Sequence, residues 1–235
     1  MTKKPKIIVV LPAYNAEKTL EKTINDIPKG SVDEIILVDD ASNDKTVKLT
    51  KKLNLILHEH SFNMGYGANQ KSCYKIALER KADIIVMLHP DYQYDPKLIP
   101  HLTDFIKNGY FDIMLGSRIR SRHESLAGGM PPYKYYSNRF LTFFQNLITG
   151  QNLGEWHTGM RAYSSKVLKN IPFKKFSNDF IFDTQMLLSA VKKGYKIGDI
   201  PVPVRYFPKA SSINLKRSLK YGFLTLKETL KFKFS

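Results

Sequence analysis

The apolar residues come first as short unbroken runs, each followed by a polar turn and then a stretch with helical spacing. Lys6–Leu11, Glu34–Asp39, Asn54–His60 and Asp83–Leu88 read as strands. The turn PAYNAEKT opens a helix to about Ile27, where PKGS breaks it. Thr46–Lys52 is a second helix, and NMGYGANQ opens a third, to about Lys81. Strands that are apolar throughout are covered on both faces, and their alternation with helices implies a parallel sheet. The carboxyl ends of the strands then share one edge. That edge carries Pro12–Asn15, Asp39-Asp40, Asn63–Asn69 and His89–Asp95, where open α/β sheets bind ligands.

Beyond Leu88 the alternation weakens. A helix is expected at Pro96–Asn108, a strand at Asp112–Gly116 and an irregular stretch over 117–135. A helix follows at Tyr133–Thr149, a strand at Gly159–Tyr163, a helix at Phe180–Lys193 and an extended segment at Lys196–Tyr206. In the tail, Leu215, Leu219, Phe223, Leu226, Leu230 and Phe234 are spaced by three or four, one face of a helix. Lys216, Arg217, Lys220, Lys227 and Lys231 fall mostly on its other faces. Such a helix either docks on the core or lies on an anionic bilayer. No run reaches the ~18 apolar residues of a membrane span, and Ile7–Leu11 is too short for the core of a signal peptide. The chain is read as soluble or peripheral.

Composition changes this picture in two ways. Lysine and arginine total 37 against 21 acidic residues, a formal charge of +16, which points to an anionic partner. The basic residues are dispersed and no nucleic-acid recognition motif appears, which argues against nucleic acid. Cys73 is the only cysteine. It allows no internal disulfide or paired-cysteine zinc site and favours a reducing setting.

The edge loops carry the candidate chemistry. LHPDYQYDP, residues 88–96, places His89, Asp91 and Asp95 just past a buried strand. A plain turn needs only one polar residue with proline or glycine. Asp95 is expected to cap the helix after Pro96. DDASNDKT has paired carboxylates, Asp39 and Asp40, where a helix cap needs one. GYGANQK matches neither GxGxxG nor the Walker loop, so a dinucleotide fold is not expected.

Together these motifs resemble the family 2 glycosyltransferases. The matches are LPAYNAEKTL, VDDASNDKT, NMGYGANQKSC and the acidic loop after the fourth strand. GSR at 116–118, HTGMRAYS at 157–164 and NDFIFDTQML at 178–188 resemble the polyprenyl-phosphate sugar transferase branch, which includes dolichol-phosphate mannose synthase. The resemblance covers roughly residues 5–215. It implies an α/β GT-A (Rossmann-like) fold: a mostly parallel sheet flanked by helices, with a C-terminal acceptor-side extension and an amphipathic terminal helix. A single domain is expected, with a nucleotide-sugar half (1–116), an acceptor half (117–210) and the basic helix (211–235).

By that resemblance the chain is an inverting, metal-dependent glycosyltransferase that moves a sugar from a UDP- or GDP-sugar to polyprenyl phosphate, for cell-envelope glycan synthesis. The family carries Asp-x-Asp where this chain has His89-Pro90-Asp91, so Asp91, with His89 beside it, is the expected ligand of Mg²⁺ or Mn²⁺. Pro12, Ala13, Tyr14, Asn15, Glu17, Asp39, Asp40, Gly65, Asn69 and Gln93 are the expected nucleotide-sugar residues, with Gly65 and Gly67 letting backbone approach the nucleotide. Arg118, Lys134, Arg139, His157 and Arg161 are expected at the acceptor, with Arg118 and Arg139 holding its phosphate. A phosphate acceptor needs no general base. A saccharide or glycolipid hydroxyl does, and Asp179 or Asp183 is then the candidate. A non-catalytic sugar-nucleotide binder stays open as another class. The expected location is cytoplasmic, peripheral on the inner face of the membrane.

Overall fold

The computed structural model describes residues 4–203, 205 and 215–234. Seven strands form one sheet: β1 (Ile7–Ala13), β2 (Glu34–Asp39), β3 (Ile56–Glu59), β4 (Ile84–Met87), β5 (Ile113–Ser117), β6 (Arg161–Ser164) and β7 (Ile197–Pro201). Their order is β3-β2-β1-β4-β6-β5-β7. The pairs β3-β2, β2-β1, β1-β4 and β5-β7 are parallel, as the apolar runs predict. The helices are α1 (Leu20–Asn25), α2 (Thr46–Lys52), α3 (Tyr66–Glu79), α4 (Ile99–Lys107), α5 (Arg122–Ala127), α6 (Pro132–Thr149), α7 (Ser165–Asn170), α8 (Phe182–Lys192) and α9 (Leu215–Phe234).

Alternate residues of each central strand feed opposite faces, as the pleat requires. Ile8 and Val10 join one core with Tyr74, Val167 and Phe182 from α3, α7 and α8. Val9 and Leu11 join the other with Leu20, Ile99 and Leu102 from α1 and α4. Cys73 is fully buried in the first core, and burial pushes its thiol well up, so it is inert.

One strand runs against the rest. β6 is antiparallel to both β4 and β5. The loop before an inverted strand lies at the edge where its neighbours end. β6 therefore brings residues 154–160, including His157, to the ligand-binding edge, although they precede a strand instead of following one.

One expectation needs correction. The stretch 117–135 is not wholly irregular. It holds α5, whose cap Ser121 accepts from the Glu124 amide at 3.1 Å. The Ser121 hydroxyl also donates to the Glu124 carboxylate at 3.3 Å; the S-x-x-E spacing in SRHE, typical of a helix start, is overlooked among the arginines. Only Ile197–Pro201 of the extended segment is strand, and its continuation at 204 and 206 lies outside the described residues. For α9 the sequence left core docking and bilayer contact open, and most of its apolar stripe faces outward. Leu219, Phe223, Leu230 and Phe234 are exposed, while Thr225 and Thr229 are fully buried against the body. Leu215 and Lys216 are helical, but their side chains lie outside the described set. No helix among the described residues is long and apolar enough to cross a membrane.

Candidate active site

A cleft of about 1640 Å³ opens along the predicted edge. Small-molecule sites usually occupy ~300–1,000 Å³, so this one has room for two substrates. The side expected to take the donor is walled by the loops after β1, β2 and β4 and the start of α3, the side expected to take the acceptor by Arg118, α6, the 157–159 turn and α9.

The donor-side loops are fastened to one another before any ligand is considered. Tyr14 stands half exposed on the cleft beside Pro12 and Ala13. Asn15, at φ 54°, accepts from the Asn43 amide at 2.9 Å, and Glu17 accepts from the Lys45 amide at 2.9 Å. Both side chains line the cleft while bracing the turn after β1 against the turn after β2. Asp40 is buried on the cleft wall and accepts from the Met64 and Gly65 amides at 2.8 and 2.9 Å, with His60 Nδ1 at 2.7 Å. It pins the loop that opens α3. Asn69 donates to the Val38 and Ala13 carbonyls and so ties α3 to the ends of β1 and β2.

Gly65 and Gly67 are required by the protein itself. Gly65 has φ +95°, and a Cβ on it would lie 3.0 Å from the Asn178 carbonyl oxygen. A Cβ on Gly67 would lie 2.5 Å from the Ser177 carbonyl oxygen and 2.9 Å from Phe182 Cβ. The close approach read from the sequence is therefore to the 177–178 loop, which the Gly67 amide also bonds through Asn178 O at 2.8 Å. Gly67→Ala is expected to destabilise the fold by about 1–3 kcal/mol, the usual cost of overpacking. Denaturant unfolding measures it, and a midpoint unchanged from native would show that the loop yields freely.

LHPDYQYDP serves two ends. Asp95 caps the short 3₁₀ turn Pro96–Leu98 by accepting from the Lys97 amide at 3.0 Å, as expected. Tyr92, at φ 58°, bonds Asp26 and lies under Lys22 and Arg205, which anchors the loop from outside. His89, Asp91 and Gln93 line the cleft. Asp91 Oδ1 accepts from the Gln93 amide at 3.1 Å. His89 stacks on Tyr66 with its Nε2 3.2 Å from the Tyr66 hydroxyl, and burial lowers its basicity. A Cβ on Gly159 would strike this imidazole at 2.8 Å, which explains the glycine in HTG. The Tyr66 hydroxyl donates to Asp183 at 2.7 Å, and Gln70 donates to the other Asp183 oxygen at 3.2 Å.

Sixteen expected residues, those named above together with Arg118, Lys134, His157, Asp179 and Asp183, line the cleft. Three lie off its wall. Asp39 is buried, with both oxygens accepting from Ser42, at 2.8 Å from the amide and 2.5 Å from the hydroxyl. Arg139 donates to the Gly154 carbonyl at 2.9 Å. It follows Asn138 on α6, and a helix turns about 100° per residue, so the inward position falls to Asn138. Arg161 is wholly buried. It donates to the Thr158, Asp183 and Trp156 carbonyls and lies 3.6 Å from the Asp183 carboxylate, a strut between β6 and α8.

Arg118 is held by a residue that sequence reasoning missed. Buried Glu155 accepts from the Arg118 amide at 2.6 Å and from its Nε at 2.8 Å, and the guanidinium also donates to the His157 carbonyl. Asn138 donates to the same carboxylate at 2.7 Å. Burial would raise the Glu155 carboxyl, but the Arg118 charge and these donors outweigh it and hold it below the usual carboxylate range. Nothing in GEWH marks that glutamate beforehand. Lys134 lines the cleft nearby, its ammonium lowered by burial and by Arg118. Asp179 is exposed and 3.5 Å from Lys220.

Residues 8–172 match Glycosyl transferase family 2. The chain is 29% identical over 242 residues to the UDP-N-acetylglucosamine–dolichyl-phosphate N-acetylglucosaminyltransferase of Methanococcus voltae, covering 94% of this chain and 96% of that one. It is 25% identical over 201 residues to a dolichyl-phosphate hexose transferase of Haloferax volcanii, covering 85% and 82%. Among solved structures it superposes on glucosyl-3-phosphoglycerate synthase from Mycobacterium tuberculosis, crystallised with Mn²⁺, UDP-glucose and phosphoglyceric acid. The TM-score is 0.74 at 20% identity, over 96% of this chain and 79% of that one. With the sheet order, the cleft and the family match in agreement, the chain belongs to glycosyl transferase family 2 and is a glycosyltransferase of the GT-A fold.

Proposed function

We propose that the enzyme transfers a sugar, with inversion, from a nucleoside-diphosphate sugar to a polyprenyl phosphate on an anionic membrane surface. The observation that carries this reading is the mixed character of the acceptor wall. Cationic Arg118 and Lys134 share it with Phe140, Leu141, Leu219, Phe223 and Leu226. A phosphate on a long apolar chain matches both halves. The names of the two dolichyl-phosphate relatives support the acceptor, and the M. voltae name and the neighbour's UDP-glucose favour a UDP-sugar as donor.

Asp91 is the candidate holder of a divalent ion. Among the described residues no group of three or more His, Cys, Asp or Glu side chains is placed to bind one. A single carboxylate therefore fits a metal whose remaining ligands are diphosphate oxygens and water, as Mg²⁺ and Mn²⁺ accept. His89 Nε2 already faces Tyr66, so Asp91 is the principal protein ligand. The ion, when bound, neutralises charge on the departing diphosphate. The chain's own residues do the positioning. The 12–17 and 63–69 loops seat the nucleotide, while Arg118 and Lys134 orient the acceptor phosphate. An acceptor oxygen then attacks the anomeric carbon as the bond to the diphosphate breaks, and the bonding pair leaves with the diphosphate. The acceptor oxygen carries no proton to be removed. Asp183 is poorly suited to take one, since both its oxygens already accept from Tyr66 and Gln70. Asp179, the other candidate base, is paired with Lys220 at 3.5 Å, and together these contacts favour the phosphate acceptor over a hydroxyl.

A turnover assay with UDP- and GDP-sugars, comparing a polyprenyl phosphate with the same polyprenol, tests the reading. Product from the phosphate alone supports it; equal use of the alcohol overturns it. The outward face of α9, flanked by Arg217, Lys220, Lys227 and Lys231, is the proposed membrane contact. Leu230→Glu with Phe234→Glu, at two exposed positions off the cleft, is expected to lower binding to anionic vesicles at least tenfold, since each buried apolar side chain contributes about 1.5–3 kcal/mol. Vesicle flotation measures it, and undiminished binding would place the contact elsewhere.

A further inference from the structure

The terminal helix reaches the cleft with one side chain whose role the proposed reaction leaves open. The Tyr221 hydroxyl lies 2.7 Å from His157 Nδ1 and 3.3 Å from Thr184 Oγ1. Tyr221 and His157 both line the cleft, and their rings meet edge to face at 5.5 Å. The other imidazole nitrogen, Nε2, is buried and has no hydrogen-bond partner among the described residues. A buried polar atom left without a partner calls for an explanation, and an absent ligand is one.

We propose that Tyr221 is a positioning residue for the acceptor: it holds His157 in the tautomer that presents Nε2–H to the acceptor's phosphate. The inference rests on the phosphate acceptor proposed above. The relay runs from the Thr184 hydroxyl to the Tyr221 oxygen, and from the Tyr221 hydroxyl to Nδ1. A neutral imidazole whose Nδ1 accepts must carry its proton on Nε2. Burial holds His157 down at about 3, so it is neutral across the physiological range, and burial raises the Tyr221 phenol, which keeps its proton to donate. The location agrees, because Arg118 bonds the His157 carbonyl, both residues line the cleft, and the Arg118 charge acts on the imidazole.

The seating of α9 gives independent support. Amphipathic helices usually dock by their apolar face, yet this one faces the body with Ser218, Tyr221, Thr225 and Thr229 and leaves Leu219, Phe223 and Leu230 outside. On that face Ser218 Oγ is buried without a hydrogen-bond partner among the described residues. Phe232 of α9 packs against the core and adds apolar burial to this face, while the Tyr221–His157 contact is the specific polar link between the helix and the cleft. The acceptor site is then complete only while α9 is seated.

The test uses the full chain with Tyr221→Phe, His157→Gln, His157→Leu and the double variant Tyr221→Phe/His157→Leu. Glutamine in place of His157 keeps an N–H donor; leucine does not. Tyr221→Phe and His157→Leu are expected to raise KM for a short-chain polyprenyl phosphate about tenfold or more, the loss of one bond to a charged group. KM for the nucleotide sugar should move less than about twofold, since the donor loops are untouched. His157→Gln should recover most of the acceptor affinity, and the double variant should be no worse than His157→Leu. A merely structural contact would instead alter both KM values together, or give additive losses in the double variant, and either result overturns the proposal. Nitrogen-15 NMR of His157 decides the tether separately from the acceptor. Native protein should show Nε2–H and Tyr221→Phe should lose that preference, whereas Nδ1–H in the native protein overturns the proposal. If the native enzyme uses no lipid phosphate, the acceptor reading fails and the phosphate role of His157 falls with it. The tautomer measurement still reports whether Tyr221 sets the imidazole.

Discussion

Replacing Asp91 with alanine is expected to lower kcat by about 10²–10³-fold, the range seen when one preorganised electrostatic contact to a developing charge is removed. Asp91 is the carboxylate of its loop that lines the cleft, since Asp95 is spent on a cap. Among its contacts the change removes the turn hydrogen bond that Asp91 Oδ1 accepts from the Gln93 amide, a loss of about 0.5–1.5 kcal/mol. Denaturant unfolding of the variant, run beside the assay, separates activity from folding. Calorimetric titration with Mn²⁺ gives the mechanism directly. Native protein should bind the ion weakly alone and much more tightly with UDP present, because the diphosphate brings most of the ligands. Asp91→Ala should lose that UDP-dependent gain. Full activity in the variant would show that LHPDYQYDP is only a turn and that any metal is held elsewhere.

Replacing Glu155 with alanine is the substitution expected to cost most in stability. Glu155 is wholly buried and is the counter-charge of Arg118. Its removal strands a largely buried guanidinium and leaves Asn138 without its acceptor. Breaking a buried pair from one side costs about 3–5 kcal/mol, which for a chain of this size is a fall in Tm of roughly 6–20 °C. Acceptor affinity should fall as well, because Arg118 loses the anchor that aims it. Thermal unfolding and acceptor KM check the two effects. A variant within about 1 °C of native would mean that the pair is dispensable. The pH dependence follows from the same contact. The native carboxyl lies below its ordinary 4.5, so the unfolded chain takes up that proton more readily than the folded one. The stabilisation is complete above 4.5 and is lost as pH falls through the lower native value. Native protein should therefore lose more stability than Glu155→Gln on acidification below 4.5.

The Arg118–Glu155 pair shows the limit of sequence reading in this chain. Arg118 is legible because GSR sits just past an apolar strand, but its partner lies 37 residues away with no periodicity to mark it. Arg139 and Arg161 are expected at the acceptor because they are arginines in matching segments. The fold turns Arg139 onto the Gly154 carbonyl and Arg161 into the core. Which way a long side chain points from a known element depends on neighbours that arrive from elsewhere in the chain. Tyr66 and Tyr221 escape sequence reading for the same reason, since aromatic residues carry no signal that separates packing from hydrogen-bonded duty.

The amino-acid sequence alone determined the alternation of buried strands and helices, the parallel half of the sheet, the edge where the loops meet, and the place of Asp91 and Asp40 on that edge. Those features follow from local pattern: continuous apolar runs make strands covered on both faces, and a parallel sheet brings successive carboxyl ends together. Only the tertiary structure decided that β6 is inverted, which carries His157 to that edge, and that Gly67 exists for the 177–178 loop. It also decided that α9 turns its apolar stripe outward. Helical periodicity defines the stripe, but the surface available for packing determines where it faces. Here that surface seats Thr225, Thr229 and Phe232 and meets Tyr221 through His157.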